Sequence, residues 1–162
     1  MLEKSLKPIL FRDTKVLILG AYPSIVSYEK GFYYANSRSH FWKVMEAVTN
    51  YPINNKDQKI WLLKESNIGL WDIVKSASRD IDTTISDIDV NDMASLVEEY
   101  ESIELIAFTS KLAENIYKSH FDYLDIKTLY LPSPFLNYTK MSFDKKVEVY
   151  KELLTPYIKV AI

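Results

Sequence analysis

The segment LILGAYPSIVSYEKGFYYANSRSHFWKVM, residues 17–45, carries the clearest structural signals in the chain. A short apolar run ends at Gly20, a proline turn follows, and a loop rich in Tyr, Asn, Ser and Arg leads to Phe41. From Phe41 to Val48 the apolar residues recur at helical spacing. The stretch therefore predicts a buried strand, a polar loop and an amphipathic helix. Open α/β sheets bind their ligands where such strands end.

Composition narrows the class of protein. The chain has 162 residues, of which 48% are hydrophobic and 26% charged, as in soluble globular proteins. That length is enough for one sizeable core, so we expect residues 1–162 to form a single domain. The net charge of −2 argues against non-specific coating of nucleic acid, but it is compatible with a local basic groove.

Cysteine is absent, and histidine occurs only as His40 and His120. The sequence therefore excludes disulfides, a thiolate nucleophile and a metal centre rich in Cys or His. The first ten residues, MLEKSLKPIL, lack the apolar run of a secretory signal, and no segment has the length of a membrane span. We expect a cytoplasmic protein with no membrane partner.

Short apolar runs alternate with segments of helical spacing, which predicts a three-layer α/β/α sandwich with a short, mostly parallel central sheet. The predicted strands are residues 16–19, 68–72, 105–108 and 128–131. The predicted helices cover residues 41–48, 93–100, 112–117 and 143–154. Ser142 and Asp92 are natural N-caps for two of these helices, and the polar segment 51–58 predicts a loop.

Polar, turn-rich loops follow three of the predicted strands. The first strand leads into GAYPS and YYANSRS, the third into Thr109 and Ser110, and the last into LPSPFLNYTK. Because the carboxyl ends of parallel strands lie at one edge of a sheet, we expect these loops to converge on one site.

Taken in order, the segments LILGAYPS, GFYYANSRSHFWKVM, IGLWDIV, VNDM, IAFTSKLAENIY and LPSPFLN resemble the uracil-DNA glycosylase superfamily, and most of all its hypoxanthine-DNA glycosylase branch. The resemblance covers residues 14–154. It implies an enzyme that flips a deaminated base, uracil or hypoxanthine, out of DNA and hydrolyses its N-glycosidic bond. It also implies no metal or cofactor, and we expect a monomer.

The resemblance assigns the catalytic and base-binding roles. YYANSRSHFW is similar to the family pattern YYAHPRNAFW, whose Asn is catalytic in the hypoxanthine branch. Ser39 stands in its place, and Asn36 or His40 could compensate for the lost carboxamide. Tyr22 holds the position that handles water in other branches. We therefore expect three catalytic residues, Ser39, Asn36 and Tyr22, although Ser39 is also a natural N-cap.

The expected substrate-binding residues are Gly20, Ala21, Pro23, Tyr34, Phe41, Thr109 and Ser110. Gly20 would allow close backbone approach, and Pro23 would fix the turn. Tyr34 matches the ring that stacks on the flipped base. Thr109 stands where the family often reads the base with Asn. Structural alternatives are a plain turn for GAYPS, a core or surface tyrosine for Tyr34, a core position for Phe41 and a helix cap for Ser110.

The expected DNA contacts are Arg38, Ser133, Pro134, Phe135 and Asn137. LPSPFLN is similar to the superfamily motif HPSPL, with Leu131 in place of its His. Phe135 matches the apolar wedge that fills the space left by a flipped base, although a loop Phe can simply pack in the core. Lysines at 140, 145 and 146 would add positive charge near this loop.

Two questions stay open in the sequence. Asp72, at the end of a predicted strand, could face the site, but a hydrogen bond from its side chain to a loop backbone is the favoured interpretation. The replacement of two family asparagines by Ser39 and Thr109 leaves an alternative function, a degenerate glycosylase-like protein that binds nucleic acid or nucleotides without cleavage. A hydrolase of small nucleosides is a third reading.

Overall fold

The computed structural model of the protein describes residues 2–81, 84–135 and 140–162. The elements in chain order are β1 (Leu2–Lys4), β2 (Val16–Gly20), α1 (Ile25–Lys30), α2 (Phe41–Thr49), α3 (Lys56–Glu65), β3 (Ile68–Asp72), β4 (Val74–Ile81), β5 (Thr84–Val90), α4 (Met93–Glu99), β6 (Leu105–Phe108), α5 (Lys111–Phe121), β7 (Lys127–Tyr130) and α6 (Phe143–Leu154). Within the described ranges, every helix is too short or too polar to cross a bilayer.

The central sheet has four parallel strands in the order β3-β2-β6-β7. Every residue of β2 and β6 is buried, because helices cover both faces of the sheet. Val16 and Ile18 pack into one core with α2, α3 and α6, while Leu17 and Leu19 pack into a second core with α4 and α5. The predicted three-layer α/β/α sandwich with a parallel sheet is confirmed.

Helix starts follow the sequence signals closely. The side chains of Ser142, Asp92 and Ser110 each accept a hydrogen bond from a backbone N–H in the first turn of α6, α4 and α5. The predicted loop 51–58 is wrong in its last three residues, because α3 begins at Lys56 with Asn55 as its cap. The apolar residues of α3 form one run, 60–63, rather than a helical repeat.

A second sheet lies outside the prediction. Strands β1, β4 and β5 pair antiparallel in the order β1-β4-β5. Most residues of β5 are exposed, and irregularities interrupt its pairing with β4 at three places. A polar ribbon with bulges shows no alternation of apolar and polar residues, so the sequence carried no strand signal there.

Candidate active site

A cavity of about 160 Å³ opens at the carboxyl ends of β2, β3 and β6. Nine residues predicted from sequence line it: Gly20, Ala21, Tyr22, Pro23, Tyr34, Asn36, Thr109, Ser110 and Phe135. Four more complete its wall: Ser24, Ser27, Tyr33 and Asp72. The three loops that were expected to converge therefore do so. A water molecule takes up about 30 Å³ in the liquid, so a cavity of about 160 Å³ holds a few waters or one small planar ring.

The floor of this cavity is built from the ends of adjacent strands. A Cβ atom placed on Gly20 would lie 2.7 Å from Asp72 Oδ1, 3.5 Å from Tyr34 Oη and 3.6 Å from Thr109 Oγ1. Three side-chain oxygens thus surround one point above Gly20. The space exists because Gly20 has no side chain, and any larger residue would collide with the carboxyl group of Asp72.

Tyr34 is held by contacts on two sides. Its ring stacks on Phe41, with 3.9 Å between centroids and 16° between planes, and its hydroxyl shares a 3.0 Å hydrogen bond with Thr109 Oγ1. The backbone of Tyr34 has φ 52°, the left-handed region that bulky residues rarely adopt. Burial, and then the nearby Asp72, raise the pKa of Tyr34, so the group stays a neutral phenol.

Asp72 is the main site residue outside the sequence-based assignments. It pairs with Gly20 in the parallel register and is only 5% exposed. The expected hydrogen bond from its side chain to a loop backbone is wrong: Oδ2 bonds to none of the described residues, and Asn91 Nδ2 donates to the backbone oxygen of Asp72 instead. Burial raises the pKa of Asp72 to about 7.

The register of β3 against β2 was the signal that could have identified Asp72. Residues that end neighbouring parallel strands share an edge, and Asp72 ends its strand opposite Gly20. Within the described ranges, no group of three or more His, Asp or Glu side chains is placed to hold a metal ion.

Of the predicted catalytic residues, Asn36 and Tyr22 line the cavity and Ser39 does not. Asn36 Oδ1 accepts a hydrogen bond from the backbone N–H of Arg38, which turns the amide nitrogen of Asn36 away from that contact. Ser39 instead accepts from the backbone N–H of Phe41, at 3.2 Å, while His40 occupies the cap position of α2 without a side-chain cap bond.

Phe41 and Pro134 also lie outside the cavity wall. Phe41 is fully buried beneath Tyr34, so it supports that ring rather than reaching the cavity. The carbonyl oxygen of Pro134 accepts a 2.7 Å hydrogen bond from the backbone N–H of His40. Next to it, Ser39 and Phe135 form an isolated antiparallel β-bridge, which joins the loop before α2 to the loop after β7.

A larger groove of about 560 Å³ adjoins the cavity and shares much of its wall. Arg38, Arg79 and Lys111 line it together with Ser133, and none of the described residues in its lining is acidic. The guanidinium carbon of Arg79 lies 4.9 Å from the ring centroid of Tyr22, and its Nη2 donates to the oxygen of Pro23. Arg79 was missed because β4 was missed.

Helix α6 anchors the loop that carries Phe135. Lys146 Nζ donates a 2.9 Å hydrogen bond to the backbone oxygen of Phe135, and Tyr150 Oη donates to that of Pro132. Lys146 thus lies beside this loop, as expected, but it is only 2% exposed and bonds to the backbone rather than facing solvent, and burial lowers its pKa. Asn137, an expected DNA contact, lies outside the described residues.

Comparison with known proteins places this site in a wider context. The profile of the uracil DNA glycosylase superfamily matches residues 9–154. The hypoxanthine DNA glycosylase of Methanosarcina acetivorans is 32% identical over 117 residues, covering 70% of this chain and 74% of that protein. The protein of the same name from Methanosarcina barkeri is 30% identical over 115 residues, covering 68% and 73%.

A solved structure extends the likeness to nearly the whole chain. A solution NMR structure from Methanosarcina acetivorans, of a protein described provisionally as a uracil DNA glycosylase, superposes with a TM-score of 0.80. The two sequences are 29% identical, and the match covers 94% of this chain and 99% of the other.

Proposed function

The chain belongs to the uracil-DNA glycosylase superfamily, and from that premise we propose that it is a DNA glycosylase. It removes a deaminated base, uracil or hypoxanthine, by hydrolysing the N-glycosidic bond and leaves an abasic site. The observation that carries the proposal is the small cavity, walled by an aromatic stack and polar side chains, beside a groove lined by three cations.

The cavity suits one flipped base. Phe41 covers one face of the Tyr34 ring, which leaves the other face for a base, and stacking of this kind contributes about 1–3 kcal/mol. Thr109 and Tyr34 hold each other in place through their shared hydrogen bond, so their hydroxyl groups are fixed before the base arrives. A ring seated there meets polar atoms at its edge and an aromatic surface on its face.

The groove suits the DNA backbone. Its cations Arg38, Arg79 and Lys111 are placed to contact phosphates, which orient a duplex without reading its sequence. Phe135 lies at the junction of groove and cavity, since it lines both. An apolar side chain at that junction can fill the space that the extruded base leaves in the stack.

Hydrolysis needs a water held beside the sugar. Asn36 is a carboxamide that lines both the cavity and the groove, so we assign to it the catalytic role that the sequence pattern gives to position 39, and we infer that it holds the water. Ser39 instead secures the start of α2 and the bridge to Phe135. Tyr22 forms the wall at which groove and cavity meet.

The test is a single-turnover nicking assay on labelled oligonucleotides that contain uracil, hypoxanthine or xanthine, followed by alkali. We expect alkali-labile strands from the native protein and a loss on the order of 100-fold in Asn36→Ala. The Ser39→Ala variant, matched to it in the same loop, should lose less. Retarded DNA without cleavage of any base would instead indicate a binding protein and would overturn the proposal.

Domain organisation and assembly are part of the same proposal. Both hydrophobic cores pack on the one parallel sheet, which supports a single domain over residues 1–162. We propose that this domain acts as a monomer. Light scattering should then give a mass near 18.9 kDa. We also propose a cytoplasmic location, which cell fractionation checks.

A further inference from the structure

We propose that Asp72 donates the proton that the departing base takes up. The inference rests on the proposed glycosylase function and adds a catalytic residue to it. Asp72 lines the cavity, is almost fully buried, and has an oxygen that bonds to none of the described residues. That oxygen is Oδ2, which is fully buried, whereas Oδ1 is the oxygen that faces the point above Gly20. A buried carboxyl group with an oxygen that has no partner is rare in proteins and calls for an explanation, which a ligand bonded at Oδ1 supplies.

The geometry directs this carboxyl group at the place a base would occupy. Asp72 Oδ1 lies 2.7 Å from the point where a Gly20 side chain would begin, and the hydroxyls of Tyr34 and Thr109 lie within 3.6 Å of the same point. Those two hydroxyls already bond to each other. The two hydroxyls can still bond a ligand through the proton and lone pairs that this bond leaves over, but among the three oxygens only that of Asp72 belongs to a carboxylic acid, which can give up a proton near neutral pH.

The surroundings keep Asp72 in its protonated form near neutral pH. None of the described residues that line the cavity is Lys or Arg, and the titratable groups that face Asp72 are the phenols of Tyr33 and Tyr34. Arg79 is bound at the rim, to Pro23 and over the ring of Tyr22. Burial without a cation raises the pKa of Asp72 to about 7, so the neutral acid is well populated.

The protonation state of Asp72 determines whether it can assist the departure of the base. A base leaves with the electron pair of the N-glycosidic bond, so negative charge develops on its ring and carbonyl oxygens. An ionised Asp72 would repel that charge, whereas a neutral carboxyl group can donate its proton to it.

The step balances in atoms and electrons. The bond between C1′ and the base nitrogen breaks, its electron pair passes to the base, and the Asp72 proton moves to a ring nitrogen or carbonyl oxygen of the base. The base leaves neutral, and Asp72 is left as a carboxylate. A water oxygen bonds to C1′ of the oxocarbenium-like sugar, and the proton that this water releases restores Asp72 to its acid form.

The first measurement is the single-turnover rate constant against pH, on DNA that contains the base the native protein cleaves. We expect a plateau at low pH and a fall approaching tenfold per pH unit above about pH 7, as the acid ionises. Asp72→Asn keeps the shape of the side chain but has no proton to give. It should react about 10²–10⁴ times more slowly and without that fall. Asp92→Asn, the same change at the N-cap of α4, is the matched control and should follow the native profile.

A second substrate separates proton donation from mere support of the cavity. Fluorine at position 5 of uracil makes the base a better leaving group, which needs a proton donor less. Asp72→Asn should therefore recover much of its loss on 5-fluorouracil, whereas a variant that is only badly packed would be slow on both substrates.

The outcomes are distinguishable. If the native protein cleaves no deaminated base, the proposed function fails and the role of Asp72 fails with it. If it cleaves, and Asp72→Asn matches it in rate and pH profile, only the proton donor is overturned. A native rate that rises with pH through 7 would show that the carboxylate is the active form, and this too would overturn the proposal. Should Asp72→Asn not fold, the native pH profile and the native ratio of 5-fluorouracil to uracil rates decide.

Discussion

The floor and the rim of the cavity are built in different ways. Gly20, Asp72 and Thr109 form the floor, where each ends or follows a strand of one buried parallel sheet. The rim residues Asn36 and Phe135 lie on loops that are fixed by hydrogen bonds to single backbone atoms. We therefore expect the floor, which has the rigidity of a sheet, to determine which ring fits, and the rim loops to adjust to DNA.

The floor should be the harder of the two regions to change, and Gly20→Val tests this most directly. The first side-chain atom would lie 2.7 Å from Asp72 Oδ1, so the cavity must deform or lose its carboxyl group. We expect single-turnover cleavage to fall on the order of 100-fold or more, since misplacement by about 1 Å has that effect. Gly31→Asn is the control, because its left-handed backbone tolerates Asn and it lies outside the cavity. A native rate in Gly20→Val would mean that the floor does not hold the substrate.

Asp72, the buried acid of the floor, should also make the stability of the protein depend on pH. A carboxyl group whose pKa rises on folding binds its proton more tightly in the folded state than in the unfolded state. Its contribution to the free energy of unfolding is therefore fully present below about pH 4 and is lost as the pH rises to about 7. Asp72→Asn removes this penalty and should stabilise the protein above pH 7 by about 2–4 kcal/mol. Denaturant unfolding of the native protein and of Asp72→Asn at pH 5 and pH 8 measures this difference in stability. An equal effect of the substitution at both pH values would contradict a raised pKa of Asp72 as its cause.

Tyr34 joins floor and rim, and two substitutions separate its contacts. Tyr34→Ala removes the stacking surface, so we expect cleavage efficiency to fall about 10–100-fold, from the 1–3 kcal/mol of a stacked base. Tyr34→Phe keeps the ring over Phe41 and loses only the bond to Thr109, so it should lose less. Kinetics at subsaturating DNA measure both, and equal losses would point to the hydroxyl rather than the ring.

The smallest effect is expected at the rim, from Arg38→Gln. This exposed side chain lines the groove, and one phosphate contact contributes about one unit to the slope of log affinity against log salt concentration. Binding should weaken modestly and the slope should flatten, while the base preference stays native. Fluorescence anisotropy at several salt concentrations measures the slope. A changed base preference would show that the rim takes part in reading the base.

The same contrast explains what the sequence could reveal. The bounds of β2, β3 and β6 were predicted to within one residue, and the predicted β7 began and ended one residue too late. These predictions succeeded because strands that are buried on both faces are continuous apolar runs. Nine site residues could be brought together because strand ends converge. The polar ribbon of β4 and β5, and with it Arg79, left no apolar pattern to read.

Local sequence patterns could not predict contacts between loops that are distant in sequence. Ser39 was assigned to catalysis from its place in a motif, but the path of its loop is set by the bond from His40 to Pro134, 94 residues away. Asp72 was set aside because nothing in IGLWDIV indicates that its Oδ2 would be buried without a partner among the described residues. Both depend on tertiary neighbours that one-dimensional spacing does not specify.

The β-bridge between Ser39 and Phe135 ties the loop of Asn36 to the loop of the aromatic wedge. The bridge couples the two loops, and Lys146 anchors them on α6 through its bond to the backbone of Phe135. A duplex that presses on Phe135 would at the same time press on the loop of Asn36, to which we assign the water. Base extrusion and the positioning of the water would then occur together. DNA that does not displace Phe135 would not bring the water into position.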